Sequence, residues 1–426
     1  MPLPDLIEIV PLTLPVVARI RVPGSKSITN RALILAVLSS GTTTLTGALW
    51  SEDTQVMVHC LQKLGFCIQV ELDPEEVSNR TIRVQGLGGI IPCAQQGEPL
   101  DLFVGNAGTA ARFLAALLCL GHGSYRLHGV PRMHERPQAE LFSALRQLGY
   151  IIDSPNNKLP TVIHGSGPRA TACQVSTTES SQFVSALLLS ARVGGWNVEV
   201  LGFNPEESPY VTMTQALIRT FPPEGGVFQI EPDASSGSYF WGANQLLSDP
   251  SDIRVEHWPT SGWQIDADLP EYLPLPQSLS RVTQLGDAMM TAIVLGPLAN
   301  HPTKFTHLGR MRLQECERVQ ALRKELSKCG AQIHEIEDSL EIQPSSLHGA
   351  TIETYHDHRM AMCFSMLGLR IPSLKIMNPS CVNKTFPNFF STLAAPLPYG
   401  LGARIINGVT GEPVPSTDLS ANELKN

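Results

Sequence analysis

Six times along this chain a turn of small or polar residues opens a helical stretch rich in Ala, Leu, Met and Ser, beginning at Gly24, Gly105, Ser180, Ala234, Gly286 and Asp357. In most of these units a strand-like run follows, at Thr42, Ser124, Trp196, Thr303 and Leu374. A polar loop and a second, amphipathic helix come next, often ending in a Leu-Gly step such as Leu64-Gly65 or Leu148-Gly149. The spacing of roughly 50 to 80 residues is near that of a repeated supersecondary unit. Each unit reads βαβαβ(β), with one helix apolar enough to be wholly buried and one facing outward. The expectation is an α/β chain of two domains with three units each, breaking near Pro222–Gly226. The proline-rich run Leu269–Pro276 reads as an ordered surface connection, and residues 411–426 as a loose tail.

A hydrophobic content of 42% with 16% charged residues over 426 positions describes a compact protein with large cores. The formal net charge of -8 argues against nucleic acid or an anionic membrane as partner. Any anion site must therefore be assembled from locally gathered Lys and Arg. The first residues lack a basic segment followed by an apolar one and carry Asp5 and Glu8, so no secretory signal is expected. No apolar run approaches a bilayer's thickness. The nine cysteines are scattered without a CxxC pair, which fits a reducing, cytoplasmic setting. His122, His128 and His134 are close in sequence, but no ligand set completes them, and no metal or cofactor is expected.

The stretch Pro23–Arg31 (PGSKSITNR) joins a strand-like run to a helix start with two hydroxyls and two cations, a ready anion site. It is not a Walker A loop, since Ser25 precedes Lys26 and Ile20 stands where the first Gly is needed. Taken alone it also reads as an ordinary capped helix.

Nine motifs taken together are more specific. PGSKSITNRA, LFVGNAGTAAR, PRMHERP, SSQF, DASSGSYF, LGDAMMT, QECERV, DHRMAM and KTFPNFF occur in order from about Val22 to Phe390. They resemble the 5-enolpyruvylshikimate-3-phosphate synthase family of enolpyruvyl transferases. The resemblance implies an inside-out α/β barrel of two domains, each of three βαβαββ repeats. It assigns residues 21–230 to one domain and 1–20 with 231–426 to the other, in a monomer; mutual repulsion of the cleft cations is expected to hold the empty form open. It also implies transfer of the enolpyruvyl group of phosphoenolpyruvate to the 5-hydroxyl of shikimate-3-phosphate, with release of phosphate.

By the same resemblance, phosphoenolpyruvate is contacted by Lys26, Asn106, Gly108, Arg132, Gln182, Arg318, Arg359 and Lys384. Shikimate-3-phosphate is contacted by Lys26, Ser27, Arg31, Ser180, Ser181, Gln182, Asp287 and Gln314. The physical need is plain: two anions must be joined, and at an effective dielectric of about 20 two unit charges ~4 Å apart interact by roughly 4 kcal/mol. Arginine suits the task because its planar fork grips carboxylate or phosphate in two bonds. Asp287 or Lys26 is expected to help deprotonate the hydroxyl, and Glu315 with Lys26 to handle the proton at C3. His358 either orients its neighbours or transfers a proton. Asp233 and Asp357 read as helix caps, and Arg112 and Arg136 as holders of the loops carrying Asn106 and Arg132.

Some positions depart from the family's pattern. Glu207 stands where the family has a Ser that contacts the 3-phosphate, Gln314 replaces a Lys, and Arg310 replaces an Asn. Arg310 is a candidate to replace the lost cation; otherwise an acceptor lacking the 3-phosphate is the alternative, followed by a non-catalytic ligand-binding homologue. His134 replaces a Lys. Phe113 replaces a Pro on the helix after Gly108, where the inhibitor glyphosate packs in family members, so a change in inhibitor affinity is expected there. The relative that acts on UDP-N-acetylglucosamine is disfavoured, because Val130–Pro137 lacks its reactive Cys.

Overall fold

The computed structural model describes residues 3–93, 97–202, 204, 207–247 and 250–419. The chain divides into two compact units. The C-terminal unit comprises Met1–Pro23, Glu76–Ser78 and Pro232–Asn426, and the central unit Gly24–Glu75 and Asn79–Glu231. The short segment Glu76–Ser78, which the sequence reading left with the central lobe, joins the C-terminal unit through polar contacts. Asn388 Nδ2 donates to Glu76 Oε1 at 2.9 Å, and the Ser78 hydroxyl donates to Asn388 Oδ1.

All six helix openings lead into helices: Lys26–Leu38, Gly108–Cys119, Ser181–Gly194, Ala234–Leu246, Met289–Leu295 and His358–Gly368. Their small and apolar composition lets them be surrounded: every residue of His358–Gly368 and of Met289–Leu295 is buried. A helix apolar all round belongs inside a core. The outer helices, such as Glu52–Lys63 and Ala139–Gln147, bury one face.

Among the described residues each unit carries two four-stranded sheets and one two-stranded sheet. In the central unit, strand Gly226–Gln229 pairs in parallel with Thr43–Thr46, so the expected break near residue 224 falls inside this unit and the division comes at Glu231. In the C-terminal unit, strand Leu6–Ile9 lies between Lys375–Met377 and Ile405–Asn407, antiparallel to both. Strand Val17–Ile20 pairs with Asp252–Val255.

The tail corrects the sequence reading. Val414 N donates to Ile405 O at 2.9 Å, a one-turn helix spans Ser416–Asp418, and Leu419 is 4% exposed against the core. Residues 411–419 are thus tied down by backbone pairing and an apolar anchor rather than loose; 420–426 lie outside the described residues. Among the described residues no helix is long and apolar enough to cross a membrane.

Candidate active site

In the C-terminal unit the repeated helix openings gather charge. Asp357 caps the His358–Gly368 helix by accepting from Arg359 N at 2.9 Å, as an N-terminal carboxylate should. The same carboxylate takes Arg318 in two bonds, Nε to Oδ2 at 2.7 Å and Nη2 to Oδ1 at 3.2 Å. Arg318, 1% exposed, also donates to Gln314 Oε1 at 2.6 Å and to Glu315 Oε2 at 2.9 Å. Glu315 bridges onward to Lys384 Nζ at 3.1 Å.

Asp287 is the second anionic centre. Arg359 Nη2 lies 2.9 Å from its Oδ2, and Gln314 Nε2 donates to Oδ1 at 3.2 Å. Arg318 and Arg281 stand 3.5 and 3.7 Å from the same oxygen. Burial alone would raise the Asp287 pKa, but Arg359, Arg318 and Arg281 outweigh it and hold this carboxylate well below the usual range. The carboxylates in turn hold Arg318 and Arg359 above their ordinary values against the pull of burial. Neighbouring Asp266 moves the other way, raised by burial and by Asp287. It accepts from Gly286 N at 2.7 Å and from Ser235 Oγ at 2.5 Å, steadying the turn that carries Asp287.

Four cations (Arg281, Arg318, Arg359 and Lys384) thus interlock with three carboxylates (Asp287, Glu315 and Asp357). The sequence placed Asp287, Gln314, Glu315, Arg318, Arg359 and Lys384 in one site, and the fold brings these six together. It pairs Glu315 with Arg318 and Lys384, while Arg359 goes to Asp287. Arg281 lies outside the nine motifs; Tyr239, whose hydroxyl accepts from Arg359 at 3.3 Å, lies within DASSGSYF but was given no role. His358 is 1% exposed, with Nδ1 3.7 Å from Asp357 Oδ1.

The central unit holds its candidates differently. Lys26, at the start of its helix, lies 3.2 Å from Asp53 Oδ2. Arg31 is 2% exposed and donates to Thr214 Oγ1 at 2.7 Å, Ser27 O at 2.8 Å and Ser185 Oγ at 3.3 Å. The Phe113 ring lies 5.3 Å from its guanidinium. Burial lowers the Arg31 pKa to about 10, with Tyr210 offsetting part of the drop.

At Gly108 a methyl group would stand 2.6 Å from both Arg112 Nη1 and Arg136 Nη2, so any side chain there would have to push two guanidiniums aside at a helix start. Arg112 donates to Gln182 Oε1 at 2.7 Å and to Pro137 O at 3.0 Å. With its oxygen engaged, Gln182 keeps its amide N–H groups as donors. Arg136 donates to Asn106 O at 3.1 Å, while Asn106 Oδ1 is buried with no hydrogen-bond partner among the described residues. Both arginines therefore hold loops, as expected. Ser180 Oγ caps Gln182 N at 3.3 Å, and Ser181 N donates to Glu207 Oε2 at 2.5 Å. Arg132, expected as a phosphoenolpyruvate contact, is 60% exposed and pairs with Glu135 at 2.5 Å. His128 and His134 bond to Asp101 and to Gly129 N.

The profile of EPSP synthase (3-phosphoshikimate 1-carboxyvinyltransferase) matches residues 12–393. The chain belongs to the EPSP synthase family. A curated 3-phosphoshikimate 1-carboxyvinyltransferase of Trichormus variabilis is 37% identical over 91% of this chain and 98% of its own length. One from Opitutus terrae is 36% identical over 92% and 98%. Among solved structures, an EPSP synthase from Acinetobacter baumannii superposes with a TM-score of 0.77 at 20% identity, covering 94% of this chain and 99% of that one. The enolpyruvyl transferase NikO from Streptomyces tendae gives 0.66 at 15% identity, over 96% and 99%. These likenesses show a shared mixed α/β fold. The family match also gives the nine motifs of the sequence a common origin.

Proposed function

We propose that the chain is a 3-phosphoshikimate 1-carboxyvinyltransferase: it adds the 5-hydroxyl of shikimate-3-phosphate to C2 of phosphoenolpyruvate, protonates C3, and then removes a C3 proton together with phosphate from the tetrahedral intermediate. The observation that carries this reading is the interlocked cluster around Asp287 and Glu315, an expensive arrangement to bury unless incoming anions use it. The finer architecture proposed with it is the inside-out barrel of three repeats per domain. The proposed roles give phosphoenolpyruvate to Arg318, Arg359 and Lys384 with Lys26, Asn106, Gly108, Arg132 and Gln182. The acceptor goes to Ser27, Arg31, Ser180, Ser181, Gln182, Asp287 and Gln314.

The electrostatics give these roles a sequence of events. While Arg359 and Arg318 grip Asp287, its carboxylate is a poor base. An entering carboxylate or phosphate competes for those guanidiniums, and each bond it takes leaves Asp287 more basic toward the acceptor hydroxyl. Glu315, shared by Arg318 and Lys384, is freed by the same competition to serve the proton at C3. The test is to incubate the protein with phosphoenolpyruvate and either shikimate-3-phosphate or shikimate, following phosphate release and the mass of the product. Release with shikimate-3-phosphate and a matching enolpyruvyl ether is expected; release with neither acceptor ends the proposal.

A further inference from the structure

The first turn of the Ser181–Gly194 helix carries more polar machinery than a helix start requires. Ser180 already caps it through Gln182 N at 3.3 Å, and one hydroxyl is ordinarily enough. Yet Glu207, a residue 5% exposed, brings a carboxylate oxygen to within 2.5 Å of Ser181 N. Two buried guanidiniums lie against the same stretch. Arg112 reaches it through Gln182 Oε1 at 2.7 Å, and Arg31 through Ser185 Oγ, one turn further on, at 3.3 Å. First-turn N–H groups with two arginines close by favour an anion. The anion that occupies this place is the protein's own side chain.

We propose that Glu207 determines acceptor specificity by acting as an internal competitor: its carboxylate holds the Ser181 N–H, and an acceptor bearing phosphate there must displace it. This rests on the reading above that Ser180 and Ser181 face the acceptor. A phosphate and a carboxylate sharing one N–H repel, whereas an uncharged hydroxyl of the acceptor meets no such opposition. The site therefore favours a phosphorylated acceptor over its unphosphorylated counterpart by less than its arginines alone would give.

Glu207→Gln tests this without removing the cap, because the amide oxygen still accepts from Ser181 N. The expected result is a KM for shikimate-3-phosphate lowered about ten- to hundredfold, an unchanged KM for phosphoenolpyruvate, and a greater preference for shikimate-3-phosphate over shikimate. Glu207→Ser, checked for folding by its denaturant midpoint, is expected to move the same way. A KM for shikimate-3-phosphate that is unchanged or raised in both variants overturns the proposal. If the wild-type protein turns over neither acceptor, the enzymatic reading fails by itself, and Glu207 is then judged by calorimetric titration with inorganic phosphate. Tighter phosphate binding by Glu207→Gln than by wild type supports the competitor, and equal binding refutes it.

Discussion

Arg318 in the C-terminal unit is 1% exposed and bonded to Asp357, Glu315 and Gln314; Arg31 in the central unit is 2% exposed and bonded to two hydroxyls and a carbonyl. The same side chain at the same depth is thus neutralised in one unit and left charged in the other. The pKa directions follow, with Arg318 pushed up by its carboxylates and Arg31 drawn down by burial to about 10. Removing a paired cation leaves its carboxylate buried and uncompensated. An unpaired one bears its desolvation cost without an opposing charge.

The sharpest way to break this contrast is to replace both arginines with methionine. Arg318→Met strands the buried Asp357 carboxylate and should cost about 3–5 kcal/mol of stability. Arg31→Met removes an uncompensated charge and should leave stability unchanged or raise it by about 1–3 kcal/mol. Both should lose turnover. Denaturant midpoints decide the matter, and equal destabilisation would show that the two environments do not differ.

A smaller effect is read from pH. Asp287 is held below its unfolded value of about 4, so the stability it gives is complete above that pH and fades as pH falls toward the folded value. Asp287→Asn should flatten the stability profile between about pH 5 and pH 2 and cut turnover by about 10²–10⁴. A profile as steep as wild type would assign the acid sensitivity elsewhere. In the central unit, Thr214→Val deprives Arg31 Nε of its acceptor and should cost about 1–3 kcal/mol while raising KM for the acceptor. The smallest change in stability is expected for Gly108→Ala. The added methyl meets only the far ends of two long side chains, so the fold should lose about 1 kcal/mol or less. The displacement of Arg112 and Arg136 should instead appear as a raised KM for phosphoenolpyruvate.

What could be read without coordinates divides along physical lines. Helix starts and caps are local, and Asp233, Ser180 and Asp357 cap the helices that their sequence context announced. Identities such as Arg318 or Asp287 were legible through motif resemblance. Their partners were not, because pairing is decided in three dimensions: Arg31 finds Thr214 183 positions away, and Arg318 finds Asp357 39 positions away. Arg281 lies outside the motifs and had no signal to find. Residues 411–419 were misread because proline and polar residues suggested looseness, while Leu419, with Val414 packed against the core, anchors them. Phe113 was legible as a departure, and its packing against Arg31 gives that departure a contact.

The placement of strand Leu6–Ile9 between Lys375–Met377 and Ile405–Asn407 sets a timetable for biosynthesis. At translation rates of about 5–20 residues per second, this strand waits on the order of 20–80 s for the neighbours it must pair with. Until then both of its edges are open to unwanted pairing. The central unit, whose last strand ends at Gln229, is free to fold during that delay. An assay of nascent chains stalled at successive lengths should therefore find protease resistance arriving first in the middle of the polypeptide and last at its beginning.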